Sequence, residues 1–334
     1  MDGPPLVSII TPSFNQVRYL ETALRSVLEQ DYPRIEYIVI DGGSTDGSLE
    51  VLSRYRDRLA ACVSEPDAGQ AAGINKGLRL ATGEIIAWLN SDDVYLPGAV
   101  RQAVEALERE PDLGMVYADG IMVDSEQMLL DRHRYRTLSL IDLLSFEVLL
   151  QPTVFMRRPV LEQAGYLDDT YQLILDHQLW VRMAARAPVR HVKATWALER
   201  THGEAKTIAR AAGFVDEAQR MLRWAESSPE LSGTVRLHQR RIQSGFNVFA
   251  ARRLIDAGEY RRAFRHILTA LGQHPLTVAR YWYKFVQAAG SALGMAGVFL
   301  WYRRTRRSLQ HGRRRIEPGA GGTPETPPHS QAPP

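Results

Sequence analysis

The chain has 334 residues, 45% of them hydrophobic and 24% charged, enough for one substantial domain plus an appendage. Its net charge of +3 is unevenly placed, with Arg303, Arg304, Arg306, Arg307, Arg313, Arg314 and Arg315 crowding the end, and no nucleic-acid partner is expected. Cys62 is the sole cysteine, which excludes an internal disulfide; with Met1-Asp2-Gly3-Pro4-Pro5 unlike a signal peptide, a cytoplasmic location is expected.

Residues 7–10 read as a short buried strand, broken by the turn-forming Thr11-Pro12-Ser13-Phe14-Asn15. From 19 to 30 the apolar Leu20, Ala23, Leu24, Val27 and Leu28 recur at helical spacing until Asp31-Tyr32-Pro33 ends the pattern. A second apolar strand, 37–40, closes in Asp41-Gly42-Gly43-Ser44-Thr45-Asp46-Gly47, and 49–59 can again be helical. This alternation predicts a parallel sheet covered on both faces, with ligands bound outside the carboxyl ends of its strands. A further apolar run leads through Ser64-Glu65-Pro66-Asp67-Ala68-Gly69-Gln70 into a helix over 71–80, the turn 81–84 and the apolar strand 85–89. A Gly-containing loop that opens a helix is a fair diphosphate contact, because its free N–H groups point at anions.

That last strand delivers Asn90-Ser91-Asp92-Asp93. Two adjacent carboxylates at the mouth of a buried strand repel each other, so the pair is stable mainly with a cation or a positively charged partner between them. Hard ions such as Mn2+ and Mg2+ suit such oxygens, and Mg2+ completes its shell with water and substrate phosphates. The bland alternative is a turn that caps the helix after Pro97. Beyond about 208 the pattern is helical, with amphipathic stretches over 209–225, 235–257 and 260–271. Ala257-Gly258-Glu259-Tyr260-Arg261-Arg262-Ala263 resembles the turn of a tetratricopeptide-type helix pair, one unit being too few for a solenoid. The uncharged stretch 285–302 is of mediocre hydrophobicity, which favours peripheral membrane attachment over a span; a buried helix is the competing reading. Gly, Pro, Thr and Ser dominate from 317, as in a disordered tail.

Together, residues 7–15, 40–47, 65–77 and 90–93 resemble the family 2 glycosyltransferases, nucleotide-sugar enzymes of the GT-A fold. The resemblance continues through Gln151-Pro152-Thr153-Val154-Phe155-Met156-Arg157-Arg158, Ala164-Gly165-Tyr166-Leu167-Asp168 and Asp176-His177-Gln178-Leu179-Trp180-Val181-Arg182, and so covers roughly the first two hundred residues. It implies an α/β fold, a Rossmann-like, mostly parallel GT-A sheet with helices on both faces, followed by a C-terminal α-helical extension. The domain layout expected is a catalytic domain over 1–208, a helical extension over 209–274, a membrane-associated apolar and basic helix over 275–310 and a tail over 311–334. The implied activity is metal-dependent, inverting sugar transfer from a nucleotide-diphosphate sugar to a glycan or lipid-linked acceptor, in cell-surface polysaccharide or lipid-linked glycan synthesis at the cytoplasmic face of a membrane.

By the same resemblance Thr11, Pro12, Phe14 and Asn15 pack on the nucleotide base, while Asp41, Asp46 and Asp67 meet base or ribose. Many relatives carry two adjacent acids where this chain has Asp41-Gly42, and Asp46 reads equally as the acceptor of an Asx turn. Asp93 is the expected metal ligand and Asp92 the group that touches sugar or ribose. His202, within an Arg-x-His loop, is a candidate third ligand, and Arg200 or Lys206 a phosphate contact. Asp176, at a predicted helix start, is the candidate base for the acceptor hydroxyl, a role compatible with capping. His177 is expected to orient Asp176 or line the acceptor cleft, Trp180 on the same helix is expected on the acceptor or diphosphate side, and Gln151 either meets the acceptor or satisfies loop backbone. A sugar-phosphate nucleotidyltransferase would call for a Gly-rich, basic triphosphate loop after the first strand, and a dehydrogenase for G-x-G-x-x-G; neither is present. The intact Asp92, Asp93 and Asp176 argue against a scaffold role.

Overall fold

The computed structural model describes residues 3–201, 213–291, 297 and 315–316. Strand β1 (Val7–Ser13) lies parallel between β2 (Ile35–Asp41) and β4 (Ile85–Trp88), and β3 (Ala61–Ser64) extends β2. Beyond β4 the sheet turns mixed, because β8 (Val154–Arg157) pairs antiparallel with both β4 and β6 (Met115–Val123). The long β9 (Val189–Arg200) returns parallel to β6, and the two-residue β5 (Val94–Tyr95) runs antiparallel to β9. A hairpin partner of β6, β7 (Leu129–His133), completes nine strands in the order β3-β2-β1-β4-β8-β6-β9-β5. The parallel half predicted by the strand-helix alternation is present, and Val154–Arg157 supplies antiparallel pairings on both of its edges.

Because side chains of a strand alternate in direction, each buried strand divides its apolar residues between two layers. Ile9, Tyr37, Val39, Ile85 and Ala87 pack under α1 (Val17–Leu28), α2 (Ser48–Tyr55) and α4 (Ala99–Arg109). Ile10, Ile38, Ile40, Ile86 and Trp88 pack under α3 (Gln70–Leu80) and α7 (Leu175–Ala184). Helix α1 buries Leu20, Ala23, Leu24 and Val27 at the expected spacing.

Strand β1 continues through Thr11-Pro12-Ser13, which the sequence reads as a turn. Proline is tolerated there for a directional reason. The Ile10 carbonyl accepts from Leu89 on the β4 side and the Ser13 carbonyl from Gly42 on the β2 side, so Pro12 faces the β4 edge after that ladder has ended at Ile10 and Trp88. Its missing N–H therefore costs no ladder bond.

The helical extension shares the layer that covers α3 and α7. Phe214, Met221 and Leu222 from the helix Gly213–Ser227, and Ile242, Phe246, Phe249 and Leu254 from Gln239–Asp256, are buried in one apolar cluster with Ile10, Trp88 and Trp180. Close contact requires Gly245, since a Cβ there would overlap the backbone of Ser145, which follows the short helix α5 (Leu140–Leu144). One core thus runs across position 208. Among the described residues, no helix is long and apolar enough to cross a membrane.

Candidate active site

The carboxyl ends of β1, β2 and β4 bring three loops together. Asn15 adopts a left-handed φ of 52°; its amide accepts from the Thr45 N–H at 2.9 Å, and its own N–H donates to Ser44 Oγ at 2.8 Å. Asp41 is fully buried and accepts from the N–H groups of Gly43 and Ser44 and from the hydroxyls of Ser44 and Ser64. With four donors on it, the Asp41 carboxylate shapes its loop instead of facing a ligand. Asp46 forms the turn that was the alternative reading: it accepts from Ser48 and from the Val17 N–H at 2.8 Å, tying α2 to the first turn of α1. Although its burial acts the other way, these bonds hold its carboxyl below the usual range.

Thr11 points into the core, where its hydroxyl meets Tyr37 Oη at 2.9 Å, and Pro12 is buried beside it. Phe14 is 59% exposed at the strand end. A Cβ on Gly42 would lie 3.4 Å from Phe14 and 3.0 Å from the Asp67 carboxylate. The missing second acid thus has a steric setting: Asp67 closes on the position it would occupy. Phe14, Gly42 and Asp67 thus stand close together at the strand ends, while Asp67 also accepts from the Gly69 N–H at 2.8 Å.

The acidic turn is braced from behind. Gln151 donates to the Trp88 carbonyl at 2.8 Å and accepts from the Asn90 amide at 3.2 Å, while Gln70 donates to Asn90 at 2.9 Å. This is the backbone-satisfying role of Gln151. Asp93 is 2% exposed; one oxygen accepts from the Arg200 N–H at 3.0 Å and the other from Asn90 at 3.2 Å. Burial, then Asp92, then Glu199 keep its proton affinity well above the carboxylate norm. Asp92 is the half-buried member of the pair. Arg200 is buried over the Tyr19 ring at 4.7 Å and donates to the Asp92 carbonyl at 3.0 Å, so it clamps the turn. His202 and Lys206 lie outside the described residues, as does most of 285–302.

Asp176 occupies the first turn of α7, where its carboxylate accepts from the His177 N–H at 2.7 Å. Burial pushes its pKa up to about 6, against the opposing pull of that bond and of Arg253. The His177 ring is turned away: it is 1% exposed, stacks on Phe146, and Nε2 contacts the Leu143 carbonyl at 3.0 Å. Burial lowers its pKa to about 4, so it is a neutral core residue and does not line a cleft. Trp180 is likewise fully buried, stacked on Trp88 with centroids 5.1 Å apart. Neither reaches an acceptor.

Two residues that the sequence reading passed over complete the site. Glu199, next to Arg200 on β9, is pushed up to about 7 by burial, then by Asp92, then by Asp176. Arg253 comes from the helix Gln239–Asp256; its guanidinium stands over the Phe214 ring at 4.3 Å and lowers the proton affinities of both Glu199 and Asp176. Strand alternation around the quoted Arg-x-His segment could have singled out Glu199, and an arginine embedded in the buried run from Phe246 to Ile255 could have singled out Arg253. Among the described residues, no three His, Cys, Asp or Glu side chains are arranged to hold a metal ion.

The nine-stranded mixed α/β sheet, with three loops at its parallel carboxyl edge and helices on both faces, has the architecture of the GT-A fold. Residues 8–165, a little under half of the chain, match the model of glycosyl transferase family 2. TuaG of Bacillus subtilis, named for teichuronic acid biosynthesis, is 38% identical over 104 residues, covering 30% of this chain and 41% of that one. The chain spans less than half the length of several such curated relatives. Mannosyltransferase PcManGT of Pyrobaculum calidifontis, solved with GDP-Man and Mn2+, superposes with a TM-score of 0.58 at 20% identity, over 92% of this chain and 85% of that one. Staphylococcus aureus TarS 1-349 in complex with UDP-GlcNAc gives 0.57 at 15% identity, over 83% and 92%.

Proposed function

We propose that the chain is an inverting glycosyltransferase that moves a sugar from a nucleotide-diphosphate donor to an acceptor hydroxyl, in the synthesis of a cell-surface polysaccharide or lipid-linked glycan. The observation that carries this reading is the clustering of Asp176, Glu199 and Asp92, each close enough to alter a neighbour's proton affinity. With a pKa near 6, Asp176 is ionised at neutral pH yet remains basic enough to take a proton. In this mechanism its carboxylate removes the acceptor proton as the hydroxyl oxygen bonds to the anomeric carbon. The bond to the nucleotide diphosphate breaks on the opposite face, and the diphosphate leaves with that electron pair.

The oxygen donors and mutual repulsion of the cluster fit a hard divalent cation, Mn2+ or Mg2+, for which one or two carboxylates suffice when a diphosphate supplies the rest. We assign the contact to Asp92, with Asp93 holding the turn from behind, the reverse of the order expected from sequence. When bound, the ion supplies charge neutralisation at the leaving diphosphate. Phe14 and Asp67 offer a flat face and an acceptor for base or ribose. The donor-bound neighbours named above support the donor class.

The test is a panel of UDP- and GDP-sugars, read by thermal shift with and without Mn2+, followed by turnover of the stabilising donor. Asp92→Ala should remove the ion-dependent part of the shift. Asp176→Asn should keep the shift and lose turnover by about a hundredfold or more. If no sugar nucleotide stabilises the protein in either condition, the reading fails.

A further inference from the structure

Where the helical extension meets the loop after α5 lies a cavity of about 210 Å³ that the transfer reaction leaves without a task. Four guanidinium groups line it: Arg136, Arg241, Arg252 and Arg280. Among the described residues, two carboxylates answer them. Arg136 bonds Asp142 at 2.8 Å and Glu147 at 2.9 Å, Arg280 bonds Glu147 at 3.0 Å, and Arg241 also holds Asp142. Arg252 makes no hydrogen bond or ion pair among the described residues and rests over the Tyr281 ring at 5.4 Å.

The wall between these arginines carries a second, independent sign of a ligand. Ser145 is 7% exposed, lines the cavity, and its hydroxyl has no hydrogen-bond partner. A buried hydroxyl without a partner costs roughly 1–3 kcal/mol, and the native place for such a cost is a ligand site. Next to it Phe146 holds a left-handed φ of 59°, a conformation rare for a bulky residue and typical of ligand clamps. The rim is apolar on one side: Leu276 lines the cavity and is nevertheless 75% exposed, and Trp282 on the following helix is 66% exposed.

An excess of guanidinium, a spare hydroxyl and an apolar rim select an anion that carries a hydrocarbon. We propose that this cavity binds the phosphate of an amphiphile, with the guanidinium groups and Ser145 on the phosphate oxygens and the chain laid over Leu276. Guanidinium forks match phosphate geometry, and an apolar chain gains by covering an exposed leucine.

Calorimetric titration of the full chain with decyl phosphate below its micelle concentration tests this, with decyl maltoside and inorganic phosphate as the other arms. Because the readout is binding, it is independent of the transfer reaction. Decyl phosphate should bind at least tenfold more tightly than either control. Arg252→Glu should weaken it at least tenfold, and Leu276→Glu should weaken decyl phosphate but not inorganic phosphate. Arg252→Gln, closer in shape, serves if the Glu variant melts early. Equal binding of decyl maltoside, unchanged affinity in the Arg252 variants, or no binding at all overturns the proposal. Inorganic phosphate as tight as decyl phosphate overturns the amphiphile and leaves a plain phosphate site.

Discussion

In the mechanism proposed above, Asp176 serves catalysis at a cost in stability. Its carboxyl is raised from the unfolded value of about 4 to about 6, chiefly by burial. The sign follows from linkage: a raised carboxyl contributes stability that is fully present below about pH 4 and lost as pH rises through about 6. Above that, burying the ionised form costs on the order of 3 kcal/mol. The same titration switches on the base, so kcat/KM should rise with pH up to about 6 and level off. Asp176→Asn should therefore melt higher than the parent at pH 8, by less at pH 5, while turning over at least a hundredfold more slowly. A variant that loses turnover without the pH-dependent gain in melting temperature would contradict the buried charge. Much of this site was legible as chemistry before it was legible as geometry. Asp92, Asp93 and Asp176 announce themselves by motif, whereas His177 and Trp180, in the same motif, turn inward because α7 places them on its apolar side. Motif spacing reports which residues travel together and not which of them face the cleft.

Among the elements, α7 depends on its neighbours for the geometry of its start. Its N-cap, Ile174, has no capping side chain, and the donors of the preceding loop are met from a distance. Glu217, on the helix Gly213–Ser227, accepts from the N–H groups of Gln172 and Leu173, both at 2.9 Å, and of Ile174 at 3.2 Å. Asn75 on α3 exchanges two further bonds with the backbone of Leu167. Charge-assisted bonds to buried or half-buried backbone are worth about 1.5–3 kcal/mol each before non-additivity. Glu217→Ala should thus lower stability by roughly 2 kcal/mol and reduce kcat more than it changes donor affinity, because it loosens Asp176 without touching the nucleotide side. Glu217→Gln, which keeps one acceptor oxygen, should recover part of both; equal effects on kcat and donor affinity would count against a positioning role. Such a clamp has no local signature, since its partners are 43 to 45 positions apart. By contrast α1 and the first strands were readable, because helical spacing and short apolar runs are properties of neighbours in sequence. Pro12 misled that reading, for its acceptability depends on where the facing ladder stops.

For the whole molecule, the consequence is that the sheet and the helical extension share one apolar core. Phe214, Phe246 and Phe249 are buried in the same cluster as Trp88 and Trp180, and the extension adds Arg253 to the cleft and Glu217 to the start of α7. A boundary at about 208 was a fair inference from the shift to continuous helical periodicity, but periodicity does not say which surface an amphipathic helix covers. A chain ended at 208 leaves the apolar face of α3 and α7 open to water, where each large side chain loses roughly 1.5–3 kcal/mol of burial. That sum exceeds the marginal stability of a domain of this size. The truncated chain should therefore show lost near-ultraviolet circular dichroism, dye-accessible apolar surface and no cooperative melt, whereas the full chain melts in a single transition. If the 1–208 chain melts cooperatively and still binds sugar nucleotide, the extension is an appendage. In that case the contributions of Arg253 and Glu217 to the cleft would have to be dispensable as well.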